Sequence, residues 1–381
     1  MKTKQTFILL ILAATLLPSL AIGQGCVAIR NMGCSGNLPN GGNNTGQVMS
    51  GDLMLSAGYR YFRSFRHFRG KHEEKIRLEQ GTEVINDFHG LDLGVTYGIS
   101  ARLSATLTLP LNHNDRSSMY EHYGNSVNTN PDRRRFDTGS QGIGDLRLSA
   151  AYWLLNPAKH QAGNISLGAG IKAPTGKYDV EGDFHRRDAE GNDFTIVRPV
   201  DQSIQLGDGG WGVSLETQAF RQLFGRFSGF LSGFYMANPR NHNGVLRNPA
   251  ADPNNPFNYF SVADQYAARL GLFYSATHRV AFGLGGRLEG IPATDVFGKS
   301  EGFRRPGYVV SVEPGLTLFH KAWALNLNMP VALERNRIKN TLDKINGSHG
   351  DAAFADYVIN ASLTWMLPKK ADAAGPVIRM E

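Results

Sequence analysis

The chain of 381 residues carries a formal net charge of +7, is 41% hydrophobic and has a negative mean hydropathy. Those values suit a soluble protein, but they suit a transmembrane β-barrel equally well, because half of each strand and nearly all of each loop are then polar. They exclude a helical membrane protein, since beyond the N-terminus no run of about 20 apolar residues occurs.

Lys2 and Lys4 precede an apolar run from Phe7 to Ile22, and Ala21-Ile22-Gly23 closes it with small residues at the positions a signal peptidase reads. Residues 1–23 therefore read as a secretory signal peptide cut before Gln24, near Gly23. The run is short and contains Pro18, which argues against a retained helix. Its removal takes Lys2 and Lys4 away, so the formal charge drops from +7 to +5. Cys26 follows Gly23-Gln24-Gly25, without the apolar residue of a lipoprotein signal. Cys26 and Cys34 are the only cysteines, and an even pair in an oxidising compartment predicts a disulfide. Two thiolates make only half a metal site. Residues 24–49, rich in Gly and Asn, read as a periplasmic or lumenal segment.

From Gly51 onward the chain alternates apolar and polar residues with period two, the mark of strands with one greasy face. Leu53, Leu55, Ala57, Tyr59 and Tyr61 share one face of the first strand (Gly51 to Phe62). The second spans about Gly90 to Gly98 and the third Arg102 to Leu111. The stretch from Gly142 to Gly176 supplies the fourth and fifth as a hairpin, with Leu146, Leu148, Ala150 and Tyr152 set against Asp145, Arg147 and Ser149. Trp211 to Phe220 is the sixth. Phe227 to Met236 is the seventh, where Phe230 and Phe234 compete with Leu231 and Tyr235 for the outer face. Five more follow, carrying Leu270, Leu284, Val310, Leu327 and Leu363 outward. The expected fold is all-β: an antiparallel transmembrane β-barrel of about twelve strands over residues 50–367, with a polar tail at 368–381.

The connections support this reading, because they alternate between short and long. Short ones fall at Gly98 to Ala101, Asn156 to Asn164, Arg221 to Arg226, Ser275 to Arg279 and Phe319 to Ala322. Long ones fall near 63–89, 112–141, 174–210, 237–264, 290–307 and 334–355. Outer-membrane barrels have tight periplasmic turns and long extracellular loops. Tyr59, Tyr61, Tyr97, Tyr152, Tyr266, Tyr274, Tyr308, Tyr357 and Trp365 lie near strand ends, where aromatic girdles belong.

The inward face is charged. Arg60, Asp92, Asp145, Arg147, Lys172, Glu216, Arg269, Arg287, Glu289 and Glu313 are lumen candidates of both signs. They form either a salt-bridged network that stiffens the barrel, or a polar path and lateral gate. Twelve strands make a narrow lumen, which suits a gated or plugged channel better than an open pore. The prolines in the Lys172–Gly176 stretch and at Pro110, Pro314 and Pro330 remove ladder donors. They either mark strand ends or weaken the wall enough for a side exit.

Basic loops at Arg63 to Lys75 and Asp132 to Phe136 fit lipopolysaccharide phosphates or plain solvation on an extracellular face better than nucleic acid. An enzyme would need a nucleophile and base within reach. His113 with Ser117, and His185 with Asp183 and Asp188, are the available sets, and neither has matched spacing on a strand face. No catalytic residue, metal or cofactor is expected.

Gly142-Ile143-Gly144-Asp145 opening a strand, Lys172-Ala173-Pro174-Thr175-Gly176 closing the hairpin, Gln205 to Gly209, and Asp264-Gln265 resemble signposts of the outer-membrane family named for the meta-pathway of phenol degradation. The resemblance covers residues 50–367. That family is related to the long-chain fatty-acid transporters, and the resemblance implies passage of small hydrophobic, often aromatic, compounds through the outer membrane of a Gram-negative bacterium. Gln24 to Gly46 is short for the hatch of the fatty-acid transporters, and no substrate-contacting residues carry over. The implied partners are outer-membrane lipid and lipopolysaccharide, the barrel-insertion machinery and a small solute. The other reading is a structural or adhesive surface barrel, with an outer-membrane hydrolase as a lesser alternative.

Overall fold

The computed structural model describes residues 48–368. The expected cleavage site, Cys26, Cys34 and the tail beyond Pro368 lie outside the described residues. In chain order the strands begin with β1 (Leu53–Arg69), β2 (His72–Glu73), β3 (Ile85–Gly98), β4 (Leu103–Ser118), β5 (Phe136–Ile143), β6 (Leu146–Trp153) and β7 (Gly163–Ala173). A hairpin of β8 (Glu181–Arg187) and β9 (Asp193–Pro199) leads to β10 (Gly212–Phe224) and β11 (Phe227–Ala237). A second hairpin, β12 (His242–Leu246) and β13 (Tyr259–Ser261), precedes β14 (Gln265–Ser275), β15 (Val280–Ile291) and β16 (Gly307–His320). The chain continues through β17 (Trp323–Asn328), β18 (Val331–Asn336), β19 (Ala352–Ala355) and β20 (Ile359–Leu367). Two short helices, α1 (Ile76–Glu79) and α2 (Thr341–Ile345), lie in the long connections.

Twelve positions close the wall, all antiparallel. β5 and β6 share one position, pairing successive parts of β4. β17 and β18 share another against β16, and β19 and β20 a third against β1. Pairing of β15 with β16 completes the ring. Closure pairs each of the twelve positions with a neighbour on both sides, as a bilayer demands, where an unpaired amide would cost several kcal/mol. The expected barrel and its strand number agree with this architecture.

Period two is obeyed around the ring. Leu215 and Leu270 are 68% and 65% exposed on the outside, while their inward neighbours Ser214 and Arg269 are largely covered. Exposed Tyr97, Tyr152, Phe224, Tyr274, Trp323 and Trp365 gather at the short-turn end, forming one aromatic girdle. In β11, Leu231 faces outward and Phe230 is buried inside. Phe230 and Phe234 lie beneath the guanidinium groups of Arg269 and Arg147, 5.7 and 5.9 Å from the ring centroids. The competition within β11 therefore resolves in favour of cation–π contacts in the lumen.

Three expectations need correction. The long connections are shorter than read, because β1 runs to Arg69, β3 begins at Ile85 and β4 reaches Ser118. Their outer faces turn polar there (His113 and Asp115 on β4), so apolar alternation ends before the strand does. Gly142 does not open the fourth strand; Phe136 does, and Gly144-Asp145 interrupts it. Finally, Pro110 and Pro314 sit inside β4 and β16 rather than at strand ends.

A charge placed on the apolar band tests the orientation. Leu270, midway between Tyr266 and Tyr274 on β14, pairs with Leu231 on one side and Gly286 on the other. Leu270→Arg should destabilise the barrel by about 2–4 kcal/mol in urea titrations in lipid vesicles. The same substitution at an extracellular loop position should change little.

Candidate functional site: a broken wall above a charged lumen

The wall is interrupted where two strands face a proline. Pro110 has no N–H to give, and its carbonyl accepts from Gly144 N–H at 2.8 Å, the gap between β5 and β6. Pro314 stands in the same relation to the gap between β17 and β18, accepting from Met329 N–H at 3.1 Å. The first gap is the deeper defect. β7 ends at Ala173 just before Pro174, and among the described residues β5 pairs with no strand but β4.

Other groups close that hole. Thr175 Oγ1 accepts from Leu146 N–H (2.9 Å) and donates to the Gly144 carbonyl (2.9 Å), bridging the edges. Behind it, the loop from Asp201 to Gly210 folds into the barrel. Gln205, buried, accepts from Val180 N–H at 2.8 Å and donates to the Val200 carbonyl at 3.0 Å. The Ile204 carbonyl accepts from Ser140 Oγ and from Asn114 Nδ2. Leu206, buried, then presses against Gly142 from inside: a Cβ there would lie 3.1 Å from Leu206 Cδ1, and Gly142 has φ 145°. Only glycine tolerates both conditions.

Asp145 ties the parts together. Its two oxygens accept from Gly176 N–H (3.0 Å) and Asp208 N–H (3.2 Å). Lys172 pairs with Asp208 and lies 3.9 Å from Asp145. A Cβ on Gly207 would fall 2.5 Å from Asp145 Oδ1, so this approach again requires glycine. The motifs at Gly142–Asp145, Lys172–Gly176 and Gln205–Gly209 thus meet at one point. Asp264, the fourth, is fully buried; it accepts from Tyr235 Oη (2.8 Å), Asn238 N–H (2.7 Å) and Val296 N–H (2.8 Å), fastening two neighbouring loops.

Behind the closed gap lies a cavity of about 130 Å³, lined in part by Asn112, Asp145, Arg147, Lys172, Leu206 and Asp208. An apolar cavity of about 150 Å³ holds benzene, so the volume suits one aromatic ring. Elsewhere in the lumen Arg60, Glu289, Arg287, Glu313 and Arg269 form a zigzag of alternating sign. Arg287 lies 2.6 Å from Glu289 and 3.8 Å from Glu313, which pairs with Arg269. Arg60 on β1 reaches Glu289 on β15 at 3.6 Å, although three wall positions separate those strands. The chain of charges is a bar across the lumen. Asp92, Arg147 and Glu216 face the same interior without an ion pair inside 4 Å among the described residues; Glu216 accepts from Ser214 Oγ at 2.8 Å. The cysteine pair lies outside the described residues.

Above the lumen a vestibule of about 520 Å³ opens toward the long loops. Six arginines and four carboxylates line it. Arg116 pairs with Glu121 (2.8 Å), Arg305 with Asp201 (2.7 Å), Arg337 with Asp343 (2.9 Å) and Arg77 with Asp351 (2.7 Å). Burial alone would raise the Asp201 carboxyl, but Arg116 and Arg305 hold it well below the usual range. Phe260 and Arg305 line both vestibule and inner cavity and so form the partition between them. Sequence reasoning missed Asp201, Asp208, Glu121, Arg116 and Arg305. Only Asp208 had a signal, its place in the Gln205–Gly209 stretch.

No protein-family model matches the chain, and no curated protein matches it by sequence. Among solved structures the fold is similar to an outer-membrane channel from Pseudomonas putida F1, with a TM-score of 0.52 and 15% identity, covering 84% of this chain and 97% of that one. The CymD monoaromatic hydrocarbon channel (TM-score 0.46, 11% identity, 92% and 99% covered) is also matched. So is the P. putida toluene transporter TodX (0.41, 12%, 92% and 100%).

Two outcomes test the site. Asp145→Asn leaves one acceptor oxygen for two amides, a loss of about 1.5–3 kcal/mol at a charged hydrogen bond. Hydrogen exchange at Gly176 and Asp208 should speed up roughly 10- to 100-fold, while β14 and β15 stay protected. At the loop rim, burial pushes the His122 imidazole down to about 4. Unfolded, it titrates near 6.5, so the unfolded rim binds the extra proton between those values. Stability from this group is full above about 6.5 and falls as pH drops toward about 4. Exchange at His185, whose N–H donates to His122 Nδ1 at 3.1 Å, should accelerate over that window.

Proposed function

We propose that the protein is an outer-membrane channel for small hydrophobic solutes, aromatic ones among them, of the kind found in the family named for the meta-pathway of phenol degradation. The observation that carries this reading is the wall gap at Gly144-Asp145, stoppered by Leu206 and latched by Lys172, Asp208 and Asp145 between a ring-sized cavity and the lipid face. The solute enters the vestibule, passes Phe260 and Arg305, and occupies the inner cavity. Withdrawal of Leu206 then releases it sideways into the membrane. An apolar molecule gains by that exit and a sugar does not. The charge bar from Arg60 to Arg269 blocks the straight route, which supports a selective channel over a general pore. The neighbouring solved channels, described as outer-membrane and hydrocarbon channels, support the same reading. It includes location in the outer membrane of a Gram-negative bacterium after cleavage near Gly23, insertion by the cell's barrel machinery, contact with lipopolysaccharide, a Cys26–Cys34 disulfide, and no enzymatic activity.

Uptake into vesicles carrying the refolded protein tests it, with protein-free vesicles as background. Phenylacetamide should enter faster than xylose, and Leu206→Ala should raise the first several-fold and leave the second unchanged. Equal entry of both means a general pore. No entry of either, from a folded barrel, means a structural role.

A further inference from the structure

The vestibule holds two more positive charges than its own carboxylates neutralise. Each of its four acids has an arginine partner, which accounts for Arg77, Arg116, Arg305 and Arg337. Arg198 and Arg247 also line it, and among the described residues neither has a carboxylate within 4 Å. Each guanidinium lies against a ring instead: Arg198 is 3.8 Å from the centroid of Phe184 and Arg247 is 4.3 Å from that of Phe303.

The two are also neighbours. Arg198 Nη1 donates to the Arg247 carbonyl at 3.3 Å and Nη2 to the Glu121 carbonyl at 3.5 Å, while its Nε is buried without a partner. Burial, with the nearby Arg305 and Arg198, holds Arg247 below the ordinary arginine range, and Asp201 offsets only part of this. A guanidinium held over a phenylalanine ring is partly pre-ordered, which suits two-point capture of a planar carboxylate.

We propose that Arg198 and Arg247 form a recognition site for the carboxylate of an amphiphilic solute. The reading rests on the channel function above and adds a substrate class to it: apolar molecules bearing an acid group. Phe303 and Phe260 line the same vestibule, and Phe260 and Arg305 also border the inner cavity, so an apolar body anchored by its acid lies along the path inward. The surplus charge sits inside the ring of loops, in a cavity that shares Phe260 and Arg305 with the inner one. A lipopolysaccharide phosphate would meet the outer face instead.

The test is calorimetric titration of the full-length protein in detergent with 4-phenylbutyrate and its neutral analogue 4-phenylbutyramide. The acid should bind roughly tenfold or more tightly than the amide. Arg198→Gln with Arg247→Gln should erase that ratio and leave amide affinity as it was, which also reports that the vestibule is still folded; Arg247→Lys should keep part of the preference. Equal binding of acid and amide to the wild type overturns the proposal, as does a preference that survives the double variant. Loss of acid binding on adding lipopolysaccharide assigns the arginines to the lipid and overturns it too. Phenylacetamide uptake is read separately: if it fails while the acid preference holds, the channel reading falls and the site stands.

Discussion

In a bilayer every backbone amide has to find its partner within the chain, and the fold is governed by how nearly this barrel satisfies that demand. Twelve antiparallel positions close the ring, yet Pro110 and Pro314 each remove a donor in mid-wall, and opposite each the neighbouring strand divides in two. The gap facing Pro314 is closed on its far side by Val358 N–H donating to the Pro330 carbonyl at 3.0 Å. The gap facing Pro110 is closed by a loop. That difference makes one interruption a seam and the other, under the proposed function, a door.

The closing loop is held by polar contacts and glycine backbone rather than by a greasy plug. Asp145 accepts two amides and Lys172 neutralises Asp208. Leu206 is the apolar side chain that the loop presses into the opening. Such a latch is firm while complete and fails as a unit, because loss of one partner leaves a desolvated charge behind. In the proposed channel such a door opens without unfolding the wall, whose β14–β15 ladder runs without a break from Tyr266 to Ser275.

The lumen charges fall into groups. Arg60, Glu289, Arg287, Glu313 and Arg269 neutralise one another across the bore and brace it. Asp145 and Lys172 belong to the latch, while Asp92, Arg147 and Glu216 stand between the two groups. The vestibule repeats the pairing rule four times and departs from it at Arg198 and Arg247. At those two arginines the proposed acid solute supplies the missing partner, which lowers the cost of an unpaired charge there.

Strand number, orientation and the alternation of short and long connections were legible in the sequence. Side-chain direction in a strand follows residue parity, and parity is local. Leu270 and Arg269 must face opposite ways whatever the rest of the chain does. The polar extension of β3 and β4 was hidden, since apolar alternation stops at the lipid boundary while the ladder continues to Ser118. The glycine-rich stretches were visible as motifs, but their meeting was not: Gly142, Gly176 and Gly207 are separated by loops that parity does not govern. Barrel closure alone sets Arg60 against Glu289, and only the inward turn of the Asp201–Gly210 loop gives Asp145 its second amide. Residue order alone sets which face of each strand meets lipid. The tertiary structure decided which charges meet, because that depends on distances across the lumen and not along the chain.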